Sequence, residues 1–152
     1  MSAAPFMQRL ERRMENKRQR AKTISDSVFG RREQEARAFV EAGDWSRATP
    51  AHFVALYAIG HLNVYGVEPG ELTPPLRLAA AGAAARMLQN DFGGDAGKMH
   101  AFVRWTWERE LEREQWRRDN GREGGRISWR LQFSRAIWTD WRLDLARKSS
   151  RR

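Results

Sequence analysis

Six of the seven tryptophans and a run of arginines crowd the last third of this chain, and their spacing is the first feature that could do chemistry. Arg113, Arg117, Arg118, Arg122, Arg126 and Arg130 fall within eighteen residues, with Trp116 and Trp129 among them. A guanidinium grips phosphate with a planar fork of donors and stacks on flat rings. An indole offers a face on which a base can stack. Interleaved, the two types point to nucleic-acid binding. Trp105 and Trp107 would point about 200° apart on a helix, so both cannot face one core. Trp107, Trp116 and Trp129 are the rings expected to face outward.

A Gly-rich turn, Asp119-Asn120-Gly121-Arg122-Glu123-Gly124-Gly125, sits inside this run. If the helices on either side form an antiparallel hairpin, Arg117, Arg118, Arg122, Arg126 and Arg130 crowd one tip. The free amides at the start of the last helix would add an anion site there. The plainer alternative is a solubility cluster partly neutralised by Asp119 and Glu123, with the rings wedged between helices. A second basic group, Lys17, Arg18, Arg20 and Lys22, lies near the N-terminus and completes the candidate nucleic-acid contacts.

Other chemistries find little support. His52, His61 and His100 contain no pair at a spacing that ligates metal from one helix face, so structural histidines are expected. Gly93-Gly94-Asp95-Ala96-Gly97-Lys98 lacks the first glycine of a phosphate loop and has Met99 where a Ser or Thr belongs. Asp91-Phe92-Gly93 stands without the other kinase elements. Glu108, Glu110, Glu112 and Glu114 alternate with Arg109 and Arg113; a solvated face with Glu110–Arg113 and Glu114–Arg118 pairs is the expectation. No catalytic residue, metal site or cofactor is expected, and no enzyme.

The elements that must position these residues read as helices. Thr49-Pro50 and Thr73-Pro74 each pair an N-cap with a proline at the first helical position. Phe53, Val54, Tyr57, His61, Leu62 and Tyr65 recur at helical spacing and end at Gly66, a C-cap glycine. Leu76, Ala80, Ala83, Met87 and Leu88 stripe a second helix that ends at Gly93-Gly94, and Asp95 caps a third, roughly 96–118. A final helix over about 126–147 would bury Ile127, Leu131, Ser134, Trp138, Trp141 and Leu145 on one seam. Nothing alternates as a strand should. The expected fold is all-α: a compact bundle of four to five helices over 31–148, a basic and partly flexible N-terminal arm over 1–30, and a basic tail over 149–152. In the arm only Phe6, Met7, Leu10 and Met14 offer an apolar face.

Charge follows the same division. The 152 residues hold 28 Lys and Arg against 19 Asp and Glu, net +9, and 24 of the bases are arginine. Residues 1–40 carry +5, residues 41–101 carry −2 and residues 102–152 carry +6. Two basic ends around a weakly acidic middle suggest a polyanion partner. The absence of cysteine fits a reducing compartment. No apolar run is long enough to span a bilayer and no signal segment is legible, so a soluble protein in the cytoplasm of a bacterial host is expected, with association with the virion as the alternative.

The order Phe53-Val54-Ala55-Leu56-Tyr57, Val64-Tyr65-Gly66, Arg86-Met87-Leu88-Gln89-Asn90-Asp91-Phe92-Gly93-Gly94-Asp95 and Phe102-Val103-Arg104-Trp105 resembles small helical modules of bacteriophage proteins. These modules occur in replisome-organiser and helicase-loader-type proteins and in neighbouring uncharacterised phage frames. The resemblance covers roughly residues 50–145 and implies a phage or mobile-element origin.

The expected function is non-enzymatic nucleic-acid binding, DNA favoured over RNA, in phage replication, packaging or transcription control. The rival is a protein-interaction factor, such as a host-protein inhibitor or adaptor or a virion component, with exposed Trp and Arg as interface anchors.

Overall fold

The computed structural model describes the backbone of residues 4–151 and the side chains of residues 5–17 and 28–151. The chain is all-helical over the described residues: α1 (Ala4–Ala42), α2 (Pro50–Tyr65), α3 (Pro74–Asn90), α4 (Ala96–Asp119), α5 (Trp129–Gln132) and α6 (Arg135–Ser150). The all-α class is as expected. The helix count is higher, because the expected single C-terminal helix is split in two, and Ser149 and Ser150 of the expected basic tail belong to α6.

The hub is α2. Its apolar residues run all the way round, as they must in a helix covered by neighbours on every side. His52 through Ala58, Gly60, His61 and Val64 are buried, against α1, α3 and α4. Its start is fixed by Pro50 at N1 and by the Nδ1 of His52, which accepts the Thr49 N–H at 2.8 Å. It ends at Gly66 in the left-handed region, whose N–H donates to Leu62 O at 2.8 Å. On α3, Ala80, Ala84 and Met87 face the core at i, i+4 and i+7, and the small side chains of the two alanines let α3 approach closely. On α4, capped by Asp95 accepting from Lys98 N at 3.1 Å, the buried row is Met99, Phe102, Val103, Thr106, Trp107 and Glu110.

Helix α1 is one continuous rod of 39 residues, about 60 Å long. No proline or glycine stands between Phe6 and Phe29 to break it. Among its described side chains, those packed on the body lie in its C-terminal part. Phe39 meets His52 at the start of α2 (ring centroids 4.9 Å apart), whereas Phe29 and Gly30 line a shallow groove with Ala58, Pro69 and Leu72. α1 and α2 are therefore antiparallel, and the N-terminal half of α1 runs on past the C-terminal end of α2. Residues 5–17 are exposed throughout, Phe6, Met7, Leu10 and Met14 included.

The C-terminal region departs most from expectation. After α4 the chain stays non-helical from 122 to 128, because α2 captures the main chain of Ile127. Tyr65 accepts the Ile127 N–H at 2.9 Å, and the Tyr57 hydroxyl lies 2.8 Å from Ile127 O. Ser128 then caps the single turn of α5 and Ser134 caps α6, their hydroxyls accepting from Leu131 N and Ile137 N. Serine at an N-cap offers the amides a partner that a continuing helix would not need. The expected seam is consequently dispersed. Ile127 is buried outside any helix, Trp141 packs between Phe92 and Phe102 with centroids 5.6 and 5.7 Å away, and Leu131 and Leu145 are exposed. Helices α4 and α6 do pack antiparallel: Trp105 Nε1 donates to Asp144 at 2.9 Å and Arg109 reaches Asp140 at 3.6 Å.

Candidate nucleic-acid interface

Three segments meet at the end of the bundle where α2 and α4 terminate: the α2 end around Val64–Gly66, the last turns of α4, and the non-helical return 120–127. Arg118 joins the first two by donating to Val64 O at 3.2 Å. Arg126 joins the first and third, its guanidinium 5.7 Å from the Tyr65 ring centroid. Arg122 joins the second and third, 5.6 Å from the Trp116 ring centroid. Arg113, Arg118, Arg122 and Arg126 are all exposed there. The projecting half of α1 leaves the body toward this same end and carries exposed Arg9, Arg12, Arg13 and Lys17. The side chains of Arg18, Arg20 and Lys22 lie outside the described residues.

Beneath the exposed arginines lies a buried ionic network. Glu110 is 4% exposed and is paired with Arg117, which also reaches Glu114 at 3.1 Å. Arg118 adds a contact to Glu114 at 3.5 Å. Burial pushes the Tyr65 hydroxyl up to about 12, and its hydrogen bond to Glu110 adds to the rise. The return strand closes over this network at Gly124, where a Cβ would come within 2.6 Å of the Arg117 side chain. Arg117 is therefore a structural cation held between two carboxylates. The expected Glu110–Arg113 pair is replaced by Glu110–Arg117, while Glu114–Arg118 forms as its spacing suggests.

The aromatic candidates sort by burial. Trp116 is 54% exposed, more than any other tryptophan. Trp129, also expected to face outward, is buried beneath Arg130, whose guanidinium sits 4.5 Å from its ring centroid. Trp107, expected to face outward, is buried instead. The absence of a side chain at Gly60 makes room for it, because a Cβ there would stand 2.5 Å from the indole. Arg126, the expected start of the long helix, is non-helical, and α5 begins only at Trp129, so the expected row of helix amides is not formed at Arg126. The positive character here is side-chain charge beside two helix C-termini, whose own negative ends Arg118 partly offsets.

Elsewhere the titratable groups are absorbed by packing. His52 Nε2 approaches Glu35 at 3.4 Å, His61 Nδ1 contacts Val67 O at 2.7 Å, and His100 stacks on Trp45 with centroids 4.2 Å apart. Among the described residues no group of three or more His, Asp or Glu could hold a metal ion, and no helix is long and apolar enough to cross a membrane. Compared with protein-family models, curated proteins and solved structures, the chain matches none.

Proposed function

We propose that this chain is a non-enzymatic nucleic-acid-binding accessory protein of a phage or mobile element, acting on DNA in preference to RNA. The observation that carries the reading is the set of exposed arginines Arg113, Arg118, Arg122 and Arg126 at one end of the bundle, with Arg122 against exposed Trp116 and Arg126 against Tyr65, at the end toward which the basic half of α1 projects. These arginines come from two consecutive segments, the last turns of α4 and the return, and the end of α2 holds two of them in place, Arg118 through Val64 O and Arg126 against the Tyr65 ring. Phosphate contacts would supply most of the affinity and little sequence preference. Arg117 supports the surface from below, and Arg130 is exposed on α5, over the buried Trp129 ring. Purification from producing cells tests the reading: nucleic acid should copurify, seen by absorbance and removed by nuclease, and DNase should remove more than RNase.

A second reading is a protein partner. The exposed apolar face of Phe6, Met7, Leu10 and Met14 on α1 favours it, since a lone amphipathic helix can dock in a groove. Salt response separates the two. Duplex binding falls with a log–log slope near −0.9 per neutralised phosphate, and an interface anchored by packed apolar residues is much flatter.

A further inference from the structure

We infer that the basic end takes a single-stranded nucleic acid, with an unpaired base stacked on Trp116. This rests on the nucleic-acid reading above and narrows it to a ligand class.

Of the seven indoles, Trp45, Trp107, Trp129 and Trp141 are buried and Trp105 and Trp138 half-buried. The fold thus places six of its largest apolar side chains under cover and leaves Trp116 more than half in water. Its surroundings are those of a stacking shelf. Arg122 lies over the ring at 5.6 Å, and Arg113, three residues earlier on α4, is exposed on the same helical face. The shelf is anchored: Asn120 N–H and Nδ2 both donate to Trp116 O, at 3.1 and 2.8 Å, tying the turn that carries Arg122 back to the last turn of α4.

A flat π-face flanked by guanidinium groups discriminates between forms of nucleic acid. In a duplex the faces of the bases are covered by their neighbours and only edges and phosphates are presented. A ring of this kind then gains nothing, and the arginines act alone. In a single strand each base has a free face, and stacking on an aromatic side chain is sequence-tolerant. Arg113 and Arg122 would meet the flanking phosphates, Arg122 moving off the ring as the base takes its place.

The test uses the full-length protein and a short, mixed-sequence, fluorescein-labelled DNA oligonucleotide, alone and annealed to its complement, read by anisotropy at matched salt. The single strand should bind more tightly. Trp116→Ala should weaken single-strand binding about tenfold, leave duplex binding within a factor of about two, and leave the salt slope unchanged, while Trp116→Phe keeps most of the affinity. An exposed ring can be removed without unfolding the chain, and an unchanged melting temperature confirms that for each variant. Equal weakening of both forms, or of neither, overturns the stacking inference while leaving nucleic-acid binding itself intact. Failure of the wild-type protein to bind either form at low salt overturns both, and points to the protein partner.

Discussion

Glu110 and Arg117 form an ion pair seven residues apart on α4, nearly sealed from solvent, at the foot of the arginine-rich end of the bundle. The pair explains how one end of a small bundle tolerates so many arginines. Two carboxylates, Glu110 and Glu114, neutralise the inner cations, Arg117 and part of Arg118, and the outer ones remain in water. Neighbouring arginines that look alike in the sequence are thereby divided into buried, paired ones and exposed ones.

That division predicts opposite outcomes for adjacent substitutions. Arg117→Ala leaves Glu110 buried without its cation and should cost about 3 kcal/mol of stability. Arg122→Ala removes an exposed side chain and should cost under about 0.5 kcal/mol. Urea melts of the two variants measure both, and an Arg117→Ala protein as stable as wild type would contradict the buried network.

Gly60 should be as sensitive as any large core residue. With the Trp107 indole against its α-carbon, Gly60→Ala forces the ring or α4 to shift, and overpacking of this kind costs typically 1–3 kcal/mol. Alanine normally favours a helix over glycine by nearly 1 kcal/mol, so the expected loss has the opposite sign to the propensity effect. Thermal melting of Gly60→Ala decides between them.

Much of the body is legible in the sequence because its signals are local. Thr49-Pro50, Thr73-Pro74 and Asp95 start helices where their cap chemistry says they should, and Gly66 ends one. What cannot be read is decided at long range. The helix expected through Ile127 fails because Tyr57 and Tyr65, 70 and 62 residues away, hold its main chain. Trp107 turns inward because a glycine on another helix makes room for it. In hindsight Ser128 and Ser134 are the missed local signals, since each is a favoured N-cap. The basic end itself is half legible: its arginines are plain in the sequence, but which of them are neutralised from beneath depends on packing.

Stability should depend on pH through His100. Burial, with Arg104 nearby, holds its imidazole below the ordinary value of 6.5, so the folded state resists protonation that the unfolded chain accepts. The contribution is therefore complete above pH 6.5 and declines as pH falls through the range below it. Urea midpoints compared at about pH 7.5 and 5.5 should drop for wild type, and by less for His100→Asn.

Removing residues 2–22 should leave the body folded. Among the described residues of α1, the first side chain packed against the core is Phe29, followed by Ala36 and Phe39. Deletion should therefore leave the melting transition nearly unchanged and weaken polyanion binding. Loss of the folded state would show that the projecting half of α1 supports the body.

The most direct test of the central claim is the salt dependence of DNA binding by two double variants. Arg122→Ala with Arg126→Ala removes two exposed cations from the basic end, where they contact Trp116 and Tyr65. Arg147→Ala with Lys148→Ala removes two near the far end of α6, beside Asp144. The first pair should lower affinity and reduce the magnitude of the log–log salt slope by roughly 2, with little change in melting temperature. The second should change the slope by much less. Equal changes from both pairs would mean that charge acts diffusely over the surface, and no change from either would contradict a nucleic-acid site at this end of the bundle.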